Sequence, residues 1–521
     1  MSFFRAQPLY NDSYQYLNVA ENFTRGPGPD TSLVHFDTER SHRRIPAPLT
    51  SFPPGYPALV AITSARFGDL ERVARVVSVV SHAGTAALLA WALILLNVPA
   101  FSRRVLLLLF ITNAVALGYA TAVMTEPLFM LLSTCAVVAL IWSEKGQPPS
   151  HVLIARAVIA YAFAGLSCWV RYAGFFFIAG VVAYALLRWL RERSRRRRIL
   201  LFAALIPVAS ACSLMLRNLL SVGTWKGGNE MPVRNPLDSV AAEYVRGHLH
   251  LFFGEHPHTI GGWEGLTLVG GLGIAAILIS SFKGGGPNTG GRRMAFRGSP
   301  DGAVLAVALC VLLYSAGMFY AGLTTVISFG TRMFLPALPH YLLLLGTFMS
   351  RPISPLPPGA RGRWLKAALL AVIVGYVGSN AREVSERPPP ARHELLATQF
   401  AEPTAGGRPL REWVESNIPA GDVIMAADGQ ATGHLLRRPT VSMVEAQYSR
   451  VRWECDEVKK QFKTYGVKYL ILYKPSAAIT QDPLMAESEF VAAAVSRTPP
   501  CGFTVAAENP YVRILVEGGT Q

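Results

Sequence analysis

The sequence predicts a polytopic α-helical membrane protein of about ten spans, followed by a small soluble α/β domain. Three observations lead there. Of 521 residues, 51% are hydrophobic and only 16% charged, and the mean hydropathy is +0.31, which suits a chain solvated by lipid. Apolar runs long enough to cross a bilayer recur between residues 76 and 381. Beyond residue 382 the pattern changes to short, alternating helix and strand signals.

The candidate spans cover roughly 76–98, 105–122, 126–142, 153–170, 173–188, 199–216, 260–281, 302–322, 332–349 and 365–381. The loops joining them alternate between arginine-rich and arginine-poor, so placing the basic loops in the cytoplasm sets the orientation. Arg103 and Arg104, Lys145, the cluster from Arg188 to Arg198, Lys283 with Arg292, Arg293 and Arg297, and Arg351 with Arg361, Arg363 and Lys366 then share one side. The net charge of +16 is thereby read as anchors facing anionic lipid, not as a nucleic-acid surface. The opposite face carries the first loop (1–75), the turns near 123–126 and 171–174, the loop 217–259, the turn 323–331 and the tail (382–521). The membrane domain is 76–381. In a bacterium the chain would sit in the inner membrane with that face toward the periplasm or exterior.

Four cysteines, Cys135, Cys168, Cys212 and Cys310, fall in apolar spans and read as packing residues. Cys455 and Cys501 lie in the tail and can pair if the tail is exported. Residues 1–75 carry eight Lys/Arg and no preceding apolar stretch. Exporting such a segment is awkward, which predicts one further span upstream.

The arginine-poor face holds the residues suited to chemistry. Asp12, Tyr16, Ala20 and Phe23 recur at helical spacing, so NDSYQYLNVAENF is expected to lie along the membrane surface as an amphipathic helix with Asp12 near its start. A helix-capping or first-turn role for Asp12 competes with a catalytic one. The element Pro53–Pro57 (PPGYP) reads as a rigid turn into a second surface helix near 56–68. Between them His35, Arg40, His42, Arg43 and Arg44 read as a solvated loop, with phosphate contact as the alternative. Glu126, in MTEPLF, stands at the outer start of a strongly apolar span. The neighbouring proline fits capping of a first turn, but a carboxylate near hydrocarbon ordinarily faces a cavity or a partner.

Three arginines stand where the charge rule discourages them: Arg171 in CWVRYAGFFF, Arg217 in MLRNLLSVGTW and Arg332 in TRMFLPALP. Snorkelling into headgroups is the plain alternative for each. A guanidinium matches phosphate oxygens and stays charged, so cations and carboxylates together point to a phosphate-bearing lipid substrate.

These pieces resemble the GT-C superfamily of membrane glycosyltransferases, in particular bacterial relatives of protein O-mannosyltransferases and of the aminoarabinose transferase for lipid A. NDSYQYLNVAENF with PPGYP, the acid in MTEPLF, Arg217–Asn218 with Gly223, and TRMFLPALP occur in family order across about residues 10–340. The resemblance implies catalytic acids at Asp12 and Glu126, donor-phosphate contacts at Arg171, Arg217 and Arg332, and substrate-positioning candidates in Tyr16, Tyr56 and Asn218. It implies a donor sugar on a polyprenyl phosphate and an acceptor on lipid, glycan or protein, with no nucleic acid. An inverting displacement with Asp12 as base would follow. The family pattern also has a span ahead of the first loop. No His/Cys cluster has metal-ligand spacing; a divalent ion between Asp12 and Glu126 is the one metal reading available.

In the tail, LREWVESNI and ATGHLLRR read as helices, and DVIMAAD, VSMVE, VKYLILYK and YVRILVE as strands around the helical VRWECDEVKKQFKTYG. The tail has no GxGxxG and no phosphate loop, so no cofactor is assigned to it. Asp428 and Glu445 are read as surface residues, with an acceptor path as the alternative. Two readings compete with the transferase: a transporter or flippase of a lipid-linked saccharide, and a catalytically degenerate homologue. A transporter places ionisable groups near the midplane, whereas here His82 and Asn113 are the few polar exceptions inside the spans.

Overall fold

A computed structural model describes residues 8–26, 28–35, 41–145, 149–225, 234–253, 300–325, 330–349, 391–444, 451–477 and 482–518, with Tyr376 and Asn380. The predicted span at 260–281, most of that at 365–381, the basic residues assigned to 283–297 and 351–366, Arg40 and Glu445 lie outside the described residues.

The first loop contains α1 (Asn11–Arg25), the short strands β1 (Asp30–Thr31), β2 (Leu33–His35) and β3 (Ala47–Pro48), and α2 (Gly55–Phe67). Gly55 is needed because a Cβ there would lie 2.5 Å from the Trp169 carbonyl oxygen. The PPGYP turn therefore seats α2 by direct backbone approach. The first long apolar helix, α3 (Leu70–Leu95), starts where the Asp69 side chain accepts from the Arg72 amide at 2.7 Å.

The predicted span at 105–122 is broken. Helices α4 (Ala100–Ile111) and α5 (Ala114–Thr121) meet at 53°. Asn113 makes the break tenable: its Oδ1 accepts from the Ala116 amide at 2.8 Å, and its Nδ2 donates to the Leu251 carbonyl and the Tyr376 hydroxyl at 2.6 and 2.9 Å. Asn380 Oδ1 accepts the Ala114 amide at 2.6 Å. Backbone groups freed inside a bilayer require protein partners of this kind.

Helix α6 (Glu126–Glu144) takes Pro127 in its first turn, where the missing N–H costs nothing. It is the most buried of the long helices, at 83%, and packs chiefly against α3 and α7 (Ser150–Val170); α8 (Gly174–Glu192) follows. Next come α9 (Arg195–Ala203), α10 (Leu205–Val222), α11 (Leu237–Phe253) and α12 (Pro300–Thr324). The predicted span at 332–349 is not one helix. Two 3-10 turns, Thr331–Met333 and Leu335–Ala337, precede α13 (Leu338–Met349). Pro336 and Pro339 cannot donate to an α-helical ladder, so regular helix begins only beyond the turns. Among the described residues six helices are long and apolar enough to span, or seven counting the bent pair as one.

At the end of α6 remote from Glu126, about 27 Å away by helical rise, Glu144 pairs with Arg197 at 2.5 Å and Arg188 at 3.0 Å. The Tyr184 hydroxyl also donates to Glu144. Two members of the basic cluster read as anchors facing anionic lipid are thus buried and bind α6, α8 and α9 together. Their carboxylate partner offsets the cost of taking them out of water.

The tail forms α14 (Arg392–Ala401), α15 (Leu410–Asn417), β4 (Val423–Ala426), α16 (Gly429–Leu436), β5 (Thr440–Ser442), α17 (Cys455–Tyr465) and β6 (Val467–Tyr473). Two short helices, α18 (Asp482–Glu487) and α19 (Glu489–Ser496), precede β7 (Phe503–Glu508) and β8 (Val512–Glu517). The sheet order is β2-β5-β4-β6-β8-β7, parallel through β6 and antiparallel at β8 and β7. Neither β7 nor the recruitment of β2 from the first loop is signalled by the tail sequence. Both faces of the sheet are covered, which accounts for the continuous apolar run in β6.

Cys455 and Cys501 are joined, their Cα atoms 5.9 Å apart across a separation of 46 residues. Of the other cysteines, Cys168 and Cys310 are buried, Cys135 is half-buried and Cys212 is exposed on α10. Chain entropy assigns closure of such a loop about 4 kcal/mol. Cys455→Ser/Cys501→Ser is therefore expected to lower the thermal midpoint of the tail in full-length protein. An unchanged midpoint in scanning calorimetry would show that the bond adds no stability.

Candidate active site

The site is assembled where α1 meets the turn before α6. The Tyr10 amide donates to Ser13 Oγ at 3.0 Å, and that hydroxyl donates to the Val123 carbonyl at 2.9 Å. This cap fixes the first turn of α1 against residues 122–125 and brings Asp12 and Glu126 to the same end of the bundle.

Each carboxylate there holds an arginine. Asp12 Oδ2 pairs with Arg332 Nη1 at 2.7 Å, and Glu126 Oε1 pairs with Arg171 Nη1 at 2.6 Å. Thr125 bridges the second pair, its Oγ1 accepting from Arg171 at 2.7 Å and donating to Glu126 Oε2 at 3.3 Å. Arg171 Nη2 reaches Met333 Sδ at 3.8 Å, and the Tyr314 hydroxyl donates to the Met333 carbonyl at 2.8 Å. The two pairs are therefore tied together through the 3-10 turn that carries Arg332.

Exposure separates their uses. The Glu126 side chain is 0% exposed and Arg171 14%, whereas Asp12 is 19% and Arg332 31% exposed. Of the two pairs, that of Asp12 is the more exposed. Among the described residues no second group binds Asp12, so Oδ1 is available.

Arg171 and Arg332, expected to hold phosphate, are thus engaged by carboxylates; a one-dimensional reading places charges on a face but not against each other. Arg217 differs. Its Nη1 donates to Asn218 Oδ1 at 3.1 Å, Asn218 Nδ2 donates to the Tyr172 hydroxyl at 3.0 Å, and that hydroxyl donates to the Thr50 carbonyl at 2.7 Å. Among the described residues no carboxylate pairs directly with Arg217. Asp30, the acid whose charge it feels, pairs with Arg44 at 3.6 Å.

Tyr16 and Tyr56, expected to position substrate, are packed away instead, at 2% and 0% exposure. Their rings meet edge to face at 5.4 Å, and Tyr16 also packs on Phe52 at 5.1 Å. They join α1 to α2. Asn218 is likewise buried and serves the Arg217–Tyr172 chain. Helix α1 does not lie with one face in lipid: Ser13, Tyr14, Gln15, Tyr16 and Leu17 are all buried, because the tail covers the side away from the spans. His42 bonds the Ser221 carbonyl at the end of α10, and Arg43 and Arg44 are exposed. Asp428 is largely buried; it caps α16 and pairs with Arg392 at 2.9 Å. Burial pushes its carboxyl above the ordinary range. Thr125 is the site residue that sequence reasoning passed over, its one signal being adjacency to Glu126.

Among the described residues no three His, Cys, Asp or Glu side chains gather as ligands, and Asp12 and Glu126 each give an oxygen to an arginine.

No protein-family profile and no curated protein sequence matches the chain. Solved structures do. Over its full length the chain covers 96% of ArnT from Cupriavidus metallidurans bound to undecaprenyl phosphate, with a TM-score of 0.57 and 12% identity. Ninety per cent of it (90%) covers 67% of an oligosaccharyltransferase from Archaeoglobus fulgidus, at a TM-score of 0.50 and 14% identity. It also covers 40% of a variant of the arabinofuranosyltransferase AftD from Mycobacteria, using 99% of its own length, at 0.51 and 14%. At such identities the likeness is one of architecture, and the chain shares its fold with these structures.

Proposed function

We propose that this protein is an integral membrane glycosyltransferase that moves a sugar from a polyprenyl-phosphate donor to an acceptor hydroxyl or phosphate on the exocytoplasmic face. The observation that carries the reading is the open Asp12 carboxylate beside a buried Glu126–Arg171 pair, at one end of the spans. The fold shared with ArnT, whose structure holds undecaprenyl phosphate, supports the donor class. The Cys455–Cys501 bond supports an oxidising compartment for the tail, hence an outward-facing site in a bacterial inner membrane. The proposed division is a first loop (1–75), a membrane domain (76–381) and a tail (382–521), with β2 crossing from the first to the last.

With a hydroxyl acceptor, its oxygen attacks the anomeric carbon while the bond from that carbon to the phosphate oxygen breaks. The lipid phosphate leaves with the electron pair, and the acceptor proton passes to Asp12. One displacement inverts the anomeric centre. Arg217, which no described carboxylate pairs with, is a guanidinium available to the donor phosphate. Arg332 stands at the opening and can shift from Asp12 to the departing charge. Glu126 does not meet substrate; it holds Arg171 and, through Met333, the turn bearing Arg332.

The test is transfer by purified protein in lipid nanodiscs, using a panel of radiolabelled polyprenyl-phosphate hexoses and pentoses with membrane extract as acceptor pool. Consumption of one donor with label appearing in an acceptor is expected. If no donor in the panel is consumed, the reading is overturned.

A further inference from the structure

The helix that carries Asp12 is gripped from its other side by the tail. Strand β2 enters the tail sheet beside β5, with Leu33 opposite Thr440 and Val34 opposite Val441, and the Thr440 amide donates to the Ser32 carbonyl at 2.8 Å. The inserted segment is tied straight back to α1. Asn18 Oδ1 accepts from the Ser32 amide at 2.7 Å, and Asn22 Nδ2 donates to the Asp30 carbonyl at 2.7 Å.

Nearer the site, Tyr14 is fully buried between two tail histidines. Its hydroxyl accepts from the His393 amide at 3.2 Å and shares a hydrogen bond with His393 Nδ1, also at 3.2 Å. The His434 ring lies 5.1 Å from the Tyr14 ring. Helix α16, which carries His434, is pressed onto the inserted strand: a Cβ on Gly433 would lie 2.4 Å from Thr440 Oγ1 and 2.5 Å from Leu33 Cδ2. The Arg392–Asp428 pair joins the two histidine-bearing helices. Burial pushes the His434 imidazole down to about 4 and the Tyr14 phenol upward.

Two residues separate Tyr14 from Asp12, a rotation of about 200° around the helix. One faces the tail while the other faces Arg332. A rigid helix passes any displacement of the Tyr14 face to the carboxylate on the opposite one.

We propose that Tyr14, seated between His393 and His434, is a positioning residue that fixes Asp12 against Arg332, and that the tail is in this way a working part of the site. This rests on the transferase reading above. It predicts that loosening the tail contact degrades turnover without touching donor binding, since the groups facing the donor are left in place.

The experiment uses full-length protein in nanodiscs, comparing wild type, Tyr14→Phe, His393→Ala and the double variant. Tyr14→Phe keeps the ring and loses both hydroxyl bonds. Amide hydrogen exchange should quicken in residues 11–25 and stay unchanged in the spans. For whichever labelled donor the wild type consumes, kcat should fall by roughly ten- to a hundredfold, as misplacement of a reacting group does, with donor KM held. The double variant should fall little below Tyr14→Phe, because the two residues act through one contact. Unchanged exchange over residues 11–25, faster exchange with unchanged kcat, or a rise spread over all helices would each overturn the proposal. If the wild type consumes no donor, the transferase reading fails separately, and the exchange comparison still decides whether the tail holds the Asp12 helix.

Discussion

Asp12→Asn is expected to abolish sugar transfer while leaving the protein folded, a loss in kcat of roughly 10²–10⁴-fold as for removal of a general base. The amide keeps the shape of the carboxylate, and its oxygen still accepts from Arg332 Nη1, which lies 2.7 Å from Oδ2. What disappears is the capacity of the side chain to take a proton. The pair is open to solvent on one side, with Arg332 31% exposed, so its loss carries little stability. Donor KM should change less than kcat, because Arg332 released from a carboxylate remains free to meet phosphate. Single-turnover transfer with the preferred donor, beside a thermal melt, is the measurement. Transfer by the variant within tenfold of wild type, at equal melting temperature, would remove Asp12 from the role of base.

A different outcome is expected at the buried pair. Glu126→Gln or Arg171→Leu, made singly, should destabilise the protein by roughly 3–5 kcal/mol, the cost of leaving one member of a buried pair uncompensated. The Glu126 side chain has no exposure and Arg171 little, so water cannot replace the missing partner. Combining the two substitutions should recover much of that stability, because no unpaired charge remains. Activity should not return, since Arg171 also holds Thr125 and Met333 beside the turn that bears Arg332. Denaturant unfolding of the four proteins in detergent forms the cycle. A double variant as unstable as the sum of the singles would mean that Glu126 and Arg171 do not act as a pair.

Much of the architecture is legible in one dimension. Strongly apolar runs near 126–142, 153–170 and 173–188 become α6, α7 and α8 because a bilayer accepts only segments that satisfy their own backbone. The same logic does not reveal the breaks within 105–122 and 332–349. Apolar composition does not reveal that Asn113 and two residues from a distant segment satisfy a mid-span break. Nor does it weigh Pro336 and Pro339 against the hydrophobic run around them. At the site, Asp12, Glu126, Arg171, Arg217 and Arg332 stand out because charges beside hydrocarbon are costly and seldom idle. Tyr14 and His393 do not stand out, being ordinary residues whose meeting spans 379 positions.

The sequence by itself pointed to the membrane class, to the long apolar helices among the described residues, and to one shared end for the acids and isolated arginines. Those properties follow from local composition, which each segment carries wherever it is placed. Only the tertiary structure decided that Arg332 meets Asp12 across 320 positions, that Arg171 meets Glu126, and that Arg217 meets no described carboxylate. It alone decided that a strand of the first loop joins the tail sheet beside the helix that carries Asp12. The physical reason is range: an ion pair or a strand pairing depends on a separation of a few ångströms, and chain position does not encode that distance.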